Sequence, residues 1–465
     1  MTRPVSEPIP IGGGSLPFGT AFLPALNMGV DLSRYGYAEE EYLLRGTASV
    51  WRHGANGSHE PVRSELPFCT RVLVRRPASG RSSGLLQVEP LHPDLDSALV
   101  WNAIHPWILR GRHSWMGVTV FAPVARQLAE FVDPERYAEV DIPEDGMLYD
   151  VLGAAIRSAI AGDFGPIAAD RVILAGMSAT GSFTRVTLQD GFHERWTRAD
   201  GRRLIDGYVI GISSGGAGAA GYPPLSAEDA ELPANDRRRT IAPRDAVAFE
   251  VLSETEAETH ERVTREDSDE PGSPYRLYEV GATAHIEAHP SVLTNLQQYE
   301  RRGGIRPAFE VRERRSDARF DLYLRGAFEA MERWLVNGEL PPRAARFEHR
   351  AGAEELVRDA DGNVLGGIRT PWLTVPTAAY APHSTASEES EKPPEWMPFG
   401  DPQMLARLVG SMRPFPIAEL RERYGSRAGY LDRFAAAVRD EVRRGLLLED
   451  DAEELLREAP ERWRG

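Results

Sequence analysis

The stretch Val172–Phe183, VILAGMSATGSF, runs as a β-branched apolar segment, stops at Gly176, offers a hydroxyl at Ser178 and resumes in a helical pattern. A serine hydroxyl is a weak nucleophile. To attack a carbonyl it must be exposed, be deprotonated by a base and face donors that bind the oxyanion. A sharp strand-to-helix junction meets the first and third needs, because it holds the side chain out of the sheet and points helix amides at the developing charge. Gly176 stands two before Ser178 and Gly181 three after, one position later than in the usual G-x-S-x-G spacing. The same serine could instead only cap the helix that follows.

Partners are sought downstream, since chains of the α/β-hydrolase type carry serine, acid and histidine in that order after successive strands. The apolar run Ala246–Leu252 ends in SETEAET, and the run Tyr275–Val280 ends in GATAHI. These supply Glu256 as the acid, with Glu254 as the alternative and Asp267 and Asp269 more distant, and His285 as the base. The second oxyanion donor belongs in the loop VEPLHPDLD. Pro90 and Pro93 have no amide hydrogen, which leaves Leu91 or His92 to act with the amide of Ala179. His92 is also placed to meet substrate.

Two other patterns compete. His285 and His289 bracket Glu287 in HIEAH, and two histidines four apart on a helix can share a metal; Pro290 restricts a helix here, no third ligand is evident, and the reading claims the same His285. Gly215–Gly221, GGAGAAG, has the spacing G-x-G-x-x-G after a strand, but Pro223-Pro224 follows where a nucleotide-binding helix would begin. A loop at the mouth of the active site is the expectation there, with no cofactor and no metal.

The elements that must position these residues follow from the apolar pattern. Runs of strand length recur at Leu85–Val88, Trp115–Val120, Val172–Ala175, Ile205–Ile212, Ala246–Leu252 and Tyr275–Val280. Spacing of three to four from Leu148 to Ile160 predicts a helix ending at Gly162, and the same spacing from Leu324 to Leu335 predicts one ending at Gly338. Strands alternating with helices imply a mostly parallel sheet covered on both faces. The first 80 residues read instead as antiparallel strands at one edge. Residues 381–402 are acidic and proline-rich, a linker, and Asp401-Pro402 opens a series of amphipathic helices. The charge-dense residues 258–270 read as a solvated loop.

With 465 residues, 42% hydrophobic and 27% charged, the chain can bury a large core. A net charge of −16 argues against nucleic acid and anionic membrane as partners. Its single cysteine, Cys69, excludes an intramolecular disulfide and a thiolate-rich metal site. No window is apolar enough for a membrane span, and the first 30 residues make a poor signal peptide, so a cytoplasmic location is expected.

The blocks GYAEEEYLLRGTA, VEPLHP, WMGVTV, DPERYAEV, IDGYVIG, LSETE, YEVGATAHI, RWLVNGELPP and DADGNVLGGIRTPWLTVP, together with the elbow, resemble a bacterial α/β-hydrolase-domain family with a G-x-S-Q-S-G elbow. The resemblance implies an α/β-hydrolase fold with a helical or loop cap and a serine esterase-type activity on a small-molecule ester or lactone, with the elbow serine at Ser178 and the histidine at His285. Ala179 and Thr180 depart from the family's glutamine and serine, and Glu256 stands where aspartate is commoner. One domain over 1–465 is expected, with a β-rich edge at 1–80, a catalytic core at 81–345 and a loop and helical extension at 346–465. The cap would come from residues 213–242 or from the helices after Asp401. Two alternatives remain at this point: a non-catalytic binding protein on the same scaffold, and a metal-dependent hydrolase using His285 and His289.

Overall fold

The computed structural model describes residues 3–12, 15–24, 27–54, 59–216, 221–234, 236–260, 263–289, 309–350, 355–392 and 401–463. Parts of the glycine run 215–221, of the 213–242 insertion, of the charged stretch 258–270 and of the 381–402 linker therefore lie outside the described residues. The chain divides into two compact units. The first is built on the chain up to Ile210 and on Ala217–Ala246; the second holds Gly211–Gly216 and the described residues from Val247 on.

The first unit carries β1 (Val5–Ile9), the short β2 (Phe22–Leu23) and β3 (Met28–Gly29), β4 (Tyr37–His53), β5 (His59–Pro77), β6 (Leu85–Pro90), β7 (Ser114–Val118), β8 (Arg171–Met177) and β9 (Gly207–Gly211). Apart from β2 and β3, these lie side by side in the order β1-β4-β5-β7-β6-β8-β9. β1, β4, β5 and β7 pair antiparallel, the edge expected from the first 80 residues, whereas β6 runs parallel to both β7 and β8. Every residue of β6, β7 and β9, and all of β8 but Arg171, is buried. Burial on both faces is why these strands read as continuous apolar runs. Each such Leu, Ile or Val contributes about 1.5–3 kcal/mol.

Helices α1 (Leu99–Gly111), α2 (Ala122–Gln127), α3 (Leu148–Ala161), α4 (Ala179–Gln189) and α5 (Phe192–Arg195) belong to this unit. α3 ends as its spacing predicts, on Gly162 at φ 82°. α1 is tied to the sheet through Glu89, whose carboxylate accepts from the amides of Val100 and Trp101 at its start and from the Trp115 indole.

In the second unit β10 (Val247–Ser253) runs parallel to β11 (Tyr275–Val280), and α6 (Glu254–His260) follows β10 directly. The helix Phe320–Asn337 closes on Gly338 at φ 70°. Asp401 caps the helix Pro402–Ala406, accepting from the Gln403 amide at 2.9 Å. The later helix Glu449–Glu458 is tied to Phe320–Asn337 and to its N-cap residue Arg319 by ion pairs, Arg325 to Asp451 at 2.6 Å and Arg319 to Glu454 at 3.0 Å. Among the described residues no helix is long and apolar enough to cross a membrane.

Candidate active site

Ser178 lies between β8 and α4 with φ 58° and ψ −126°, a backbone conformation that side chains rarely adopt. The turn is made by its neighbours. A Cβ on Gly176 would stand 2.2 Å from the Thr180 carbonyl oxygen, so only glycine fits. Thr180 is fully buried; its hydroxyl donates to the Met177 carbonyl at 2.9 Å and accepts from the Met177 amide at 3.0 Å. This departure from the resembled elbow therefore still supplies a hydroxyl that closes the turn. Ser178 makes no capping hydrogen bond from its side chain, which sets the capping reading aside.

The loop after β6 is fixed from below. Arg71, wholly buried on β5, donates to Glu41 at 2.5 Å and to Asp96 at 2.6 Å, and the Thr119 hydroxyl donates to the same Asp96 carboxylate at 2.7 Å. Leu95 and Asp96 take left-handed φ values of 60° and 49°. Two expected donors need correction here. The Leu91 amide donates to Val118 at 2.8 Å as a last rung of the β6–β7 ladder, and the His92 amide donates to Ser97 at 2.9 Å. Both amides are thus engaged in the backbone. The His92 ring offers something else: its Nδ1 accepts from the Asp94 amide at 3.0 Å, so the neutral ring carries its proton on Nε2.

In the second unit Glu256 and His285 meet. Nδ1 of His285 lies 2.6 Å from Oε1 of Glu256, both side chains being mostly buried at 15% and 6% exposure. The other carboxylate oxygen accepts from the Ser253 hydroxyl at 2.6 Å and the Ser253 amide at 3.2 Å. The Glu256 carboxylate thereby takes the Ser253 amide as the glutamate of an S-x-x-E capping box does, while the Ser253 hydroxyl accepts from the Thr255 amide at 3.3 Å, a local pattern in SETE that also places Glu256. The loop bearing His285 leaves β11 through Gly281 and Ala282, the latter at φ 68°. It is drawn to α6 by the Ala282 amide, which donates to Glu254 at 2.7 Å, and by the His285 amide, which donates to the Thr255 hydroxyl at 3.2 Å.

The alternative acid is corrected by the same contacts. Glu254 is occupied by Ala282 and by Arg358 at 2.9 Å; burial raises its pKa and the Arg358 charge opposes the rise. Asp267 and Asp269 are likewise bound to arginines, Arg346 and Arg276, each at 2.5 Å. The paired-histidine metal reading also fails. Residues 285–289 are not helical, His285 Nδ1 is bonded to Glu256, and the carboxylates beside His289 are Glu454 and Glu458. The described glycines Gly215 and Gly216 donate to the His260 ring and the Ser214 hydroxyl, and no helix begins at Gly221 or at the residues 222–226 after it.

A family model described as alpha/beta hydrolase domain matches residues 5–457. No curated protein matches the chain. Among solved structures the chain is similar to a thermostable esterase from Pseudomonas putida ECU1011, at 11% identity and TM-score 0.28 over 48% of this chain and 66% of that one. It is also similar to esterase Est22, at 14% and 0.28 over 47% and 64%, and to an arylesterase, at 14% and 0.27 over 46% and 72%. The chain thus spans just under two thirds of the length of the first two. Because the family model takes in nearly the whole sequence, the protein belongs to the alpha/beta hydrolase domain family.

Proposed function

We propose that the protein is a serine hydrolase that cleaves a carboxylic ester or lactone through an acyl-enzyme on Ser178, with His285 as base and Glu256 as the orienting acid. Family membership supports a hydrolytic role. The observation that carries the finer reading is the left-handed backbone of Ser178 between β8 and α4, a strained conformation that a merely capping serine has no need of.

In this reading Glu256 accepts the Nδ1 proton of His285 and leaves the Nε2 lone pair as the base. Ser178 Oγ attacks the carbonyl carbon as its proton passes to that nitrogen. The carbonyl oxygen becomes an oxyanion bound by the Ala179 amide, one of the first-turn donors that a helix leaves without an intrahelical acceptor, and by the Nε2 proton of His92. Collapse breaks the ester bond, and the alcohol leaves with the proton from His285. Water then repeats the sequence on the acyl-enzyme and releases the acid and Ser178.

The test is turnover of short p-nitrophenyl esters by the wild type and by Ser178→Ala, with fluorophosphonate labelling of both. The expected result is a loss of at least about 10³-fold in kcat/KM in the variant and a label only on wild-type Ser178. Undiminished turnover in Ser178→Ala overturns the reading. A folded wild type that neither turns over esters nor takes the label leaves the binding-protein alternative.

A further inference from the structure

A second cluster of chemistry-bearing side chains lies in the first unit, at the other end of α4 from Ser178. His53 closes β4 and His59 opens β5, and the two stand directly opposite each other in the antiparallel register. Asp190 is the C-cap residue of α4. Oδ1 of Asp190 faces both imidazoles, 3.1 Å from His53 Nε2 and 3.9 Å from His59 Nε2, and the three donor atoms all lie within 4.8 Å of one another.

Both Nε2 atoms are buried and turned toward the Asp190 carboxylate, on side chains only 9% and 10% exposed. The rings are held from behind. Asp229 places Oδ2 2.7 Å from His53 Nδ1 while its Oδ1 accepts the His53 amide at 3.0 Å. The His59 ring stacks on Phe192 with 12° between the planes. The Tyr222 hydroxyl donates to the remaining oxygen of Asp190 at 2.9 Å. A carboxylate on Nδ1 fixes the tautomer whose Nε2 presents a lone pair, and a hydroxyl on the far oxygen orients the acid, the outer-shell pattern of metal ligands. Bonds of 2.0–2.1 Å to a tetrahedral ion set neighbouring donor atoms about 3.3 Å apart, between the two separations seen here. The C-terminus of α4 adds the negative end of a helix dipole.

From this geometry we infer that His53, His59 and Asp190 form a zinc-binding site, with Asp229 and Tyr222 as its supporting residues. Two imidazole nitrogens and one carboxylate oxygen suit zinc, with water as the fourth ligand. Twelve residues separate Ser178 from Asp190, about 18 Å along a helix at 1.5 Å per residue, so the ion takes no part at the hydroxyl. Its effect is to clamp the end of the β4–β5 hairpin to the helix that begins at the nucleophile.

The experiment strips the full chain with dipicolinate, dialyses it into metal-free buffer and titrates it with zinc chloride, reading calorimetric stoichiometry, bound zinc by mass spectrometry and Tm. One zinc per chain, a Tm higher by a few degrees at about 100-fold excess over Kd, and affinity at least about 100-fold weaker in His59→Ala and Asp190→Asn are expected. Ser178→Ala should bind zinc as the wild type does. A wild type that takes up no zinc at about 100 μM and whose Tm ignores both zinc and chelator overturns the inference, and the cluster is then a protonated His53 between two aspartates. That result stands even if the variants fail to fold. Zinc binding lost in His289→Ala and kept in His59→Ala overturns it equally.

Discussion

Ser178 sets stability against chemistry within one residue. Its left-handed φ of 58° costs a side chain on the order of 1–3 kcal/mol, and glycine escapes that cost. Ser178→Ala and Ser178→Gly both remove the hydroxyl and differ only in the Cβ. Ser178→Gly should therefore be the more stable of the two, by roughly 1 kcal/mol after the larger entropy that glycine loses on folding. Urea unfolding of both variants measures this, and an alanine variant equal to or above the glycine variant would remove strain from the account. At this scale the sequence was readable where spacing is short. Gly176 announces the junction because the clash it avoids is with a carbonyl four residues on. Glu256 is doubly marked, by its place after β10 and by the serine three residues before it, whose amide and hydroxyl it accepts from. The oxyanion amides were not readable, since whether the Leu91 amide is engaged depends on the Val118 carbonyl of another strand. His53, His59 and Asp190 give even less away: the two histidines meet across a hairpin and the acid arrives from 131 positions beyond the second of them.

Elements were legible where burial writes a pattern. The six apolar runs are strands, and both glycine-stopped helices end where Gly162 and Gly338 allow a left-handed residue. α1 escaped because Pro106 lies inside it and buried tryptophans and isoleucines on several sides blur its period. β12 (Ala378–Ala381) and β13 (Ser411–Pro414), which pair antiparallel, are four residues each and too short to show alternation. The helix Arg427–Arg443 carries a consequence that is measurable by pH. Glu441 is buried, with Oε1 accepting from Arg444 at 2.6 Å and Oε2 left without a hydrogen-bond partner. Burial raises its pKa to about 7, against the opposing Arg444 charge. The folded protein therefore holds a proton there that the unfolded chain, titrating near 4.5, gives up. The stabilisation is full below about pH 4.5 and is lost as pH rises through 7. Glu441→Gln keeps the shape and does not titrate. It should match the wild type near pH 5 and exceed it by about 2 kcal/mol at pH 8. Denaturant midpoints of both proteins at the two pH values decide it, and parallel pH profiles would count against a protonated Glu441.

For the molecule as a whole, a net charge of −16 conceals an interior rich in paired arginine, with Arg71, Arg276, Arg319 and Arg325 among its largest buried side chains. Composition could not show this, because buried and solvated arginines count alike. Nor could it show the two units, whose chain crosses over at 211–216 and back at 217–246 with no linker composition to mark it. The expectation of a C-terminal extension meets the same ionic interior. Within the second unit Arg325 is bound by Asp451 at 2.6 Å, and Arg319 by Glu454 and Glu458 at 3.0 and 3.1 Å; all three acids lie beyond residue 446. The family model likewise continues to residue 457. A chain ending at Gly425 would take these acids from both guanidiniums and would expose the faces that bury Phe434, Val438 and Leu455. Breaking a buried ion pair from one side costs about 3–5 kcal/mol, and two such losses with the apolar exposure exceed much of a stability of about 5–15 kcal/mol. The truncated chain should be insoluble, or soluble without a cooperative melt and rapidly cut by chymotrypsin. A sharp transition within a few degrees of the full chain would show instead that the last forty residues are an appendage.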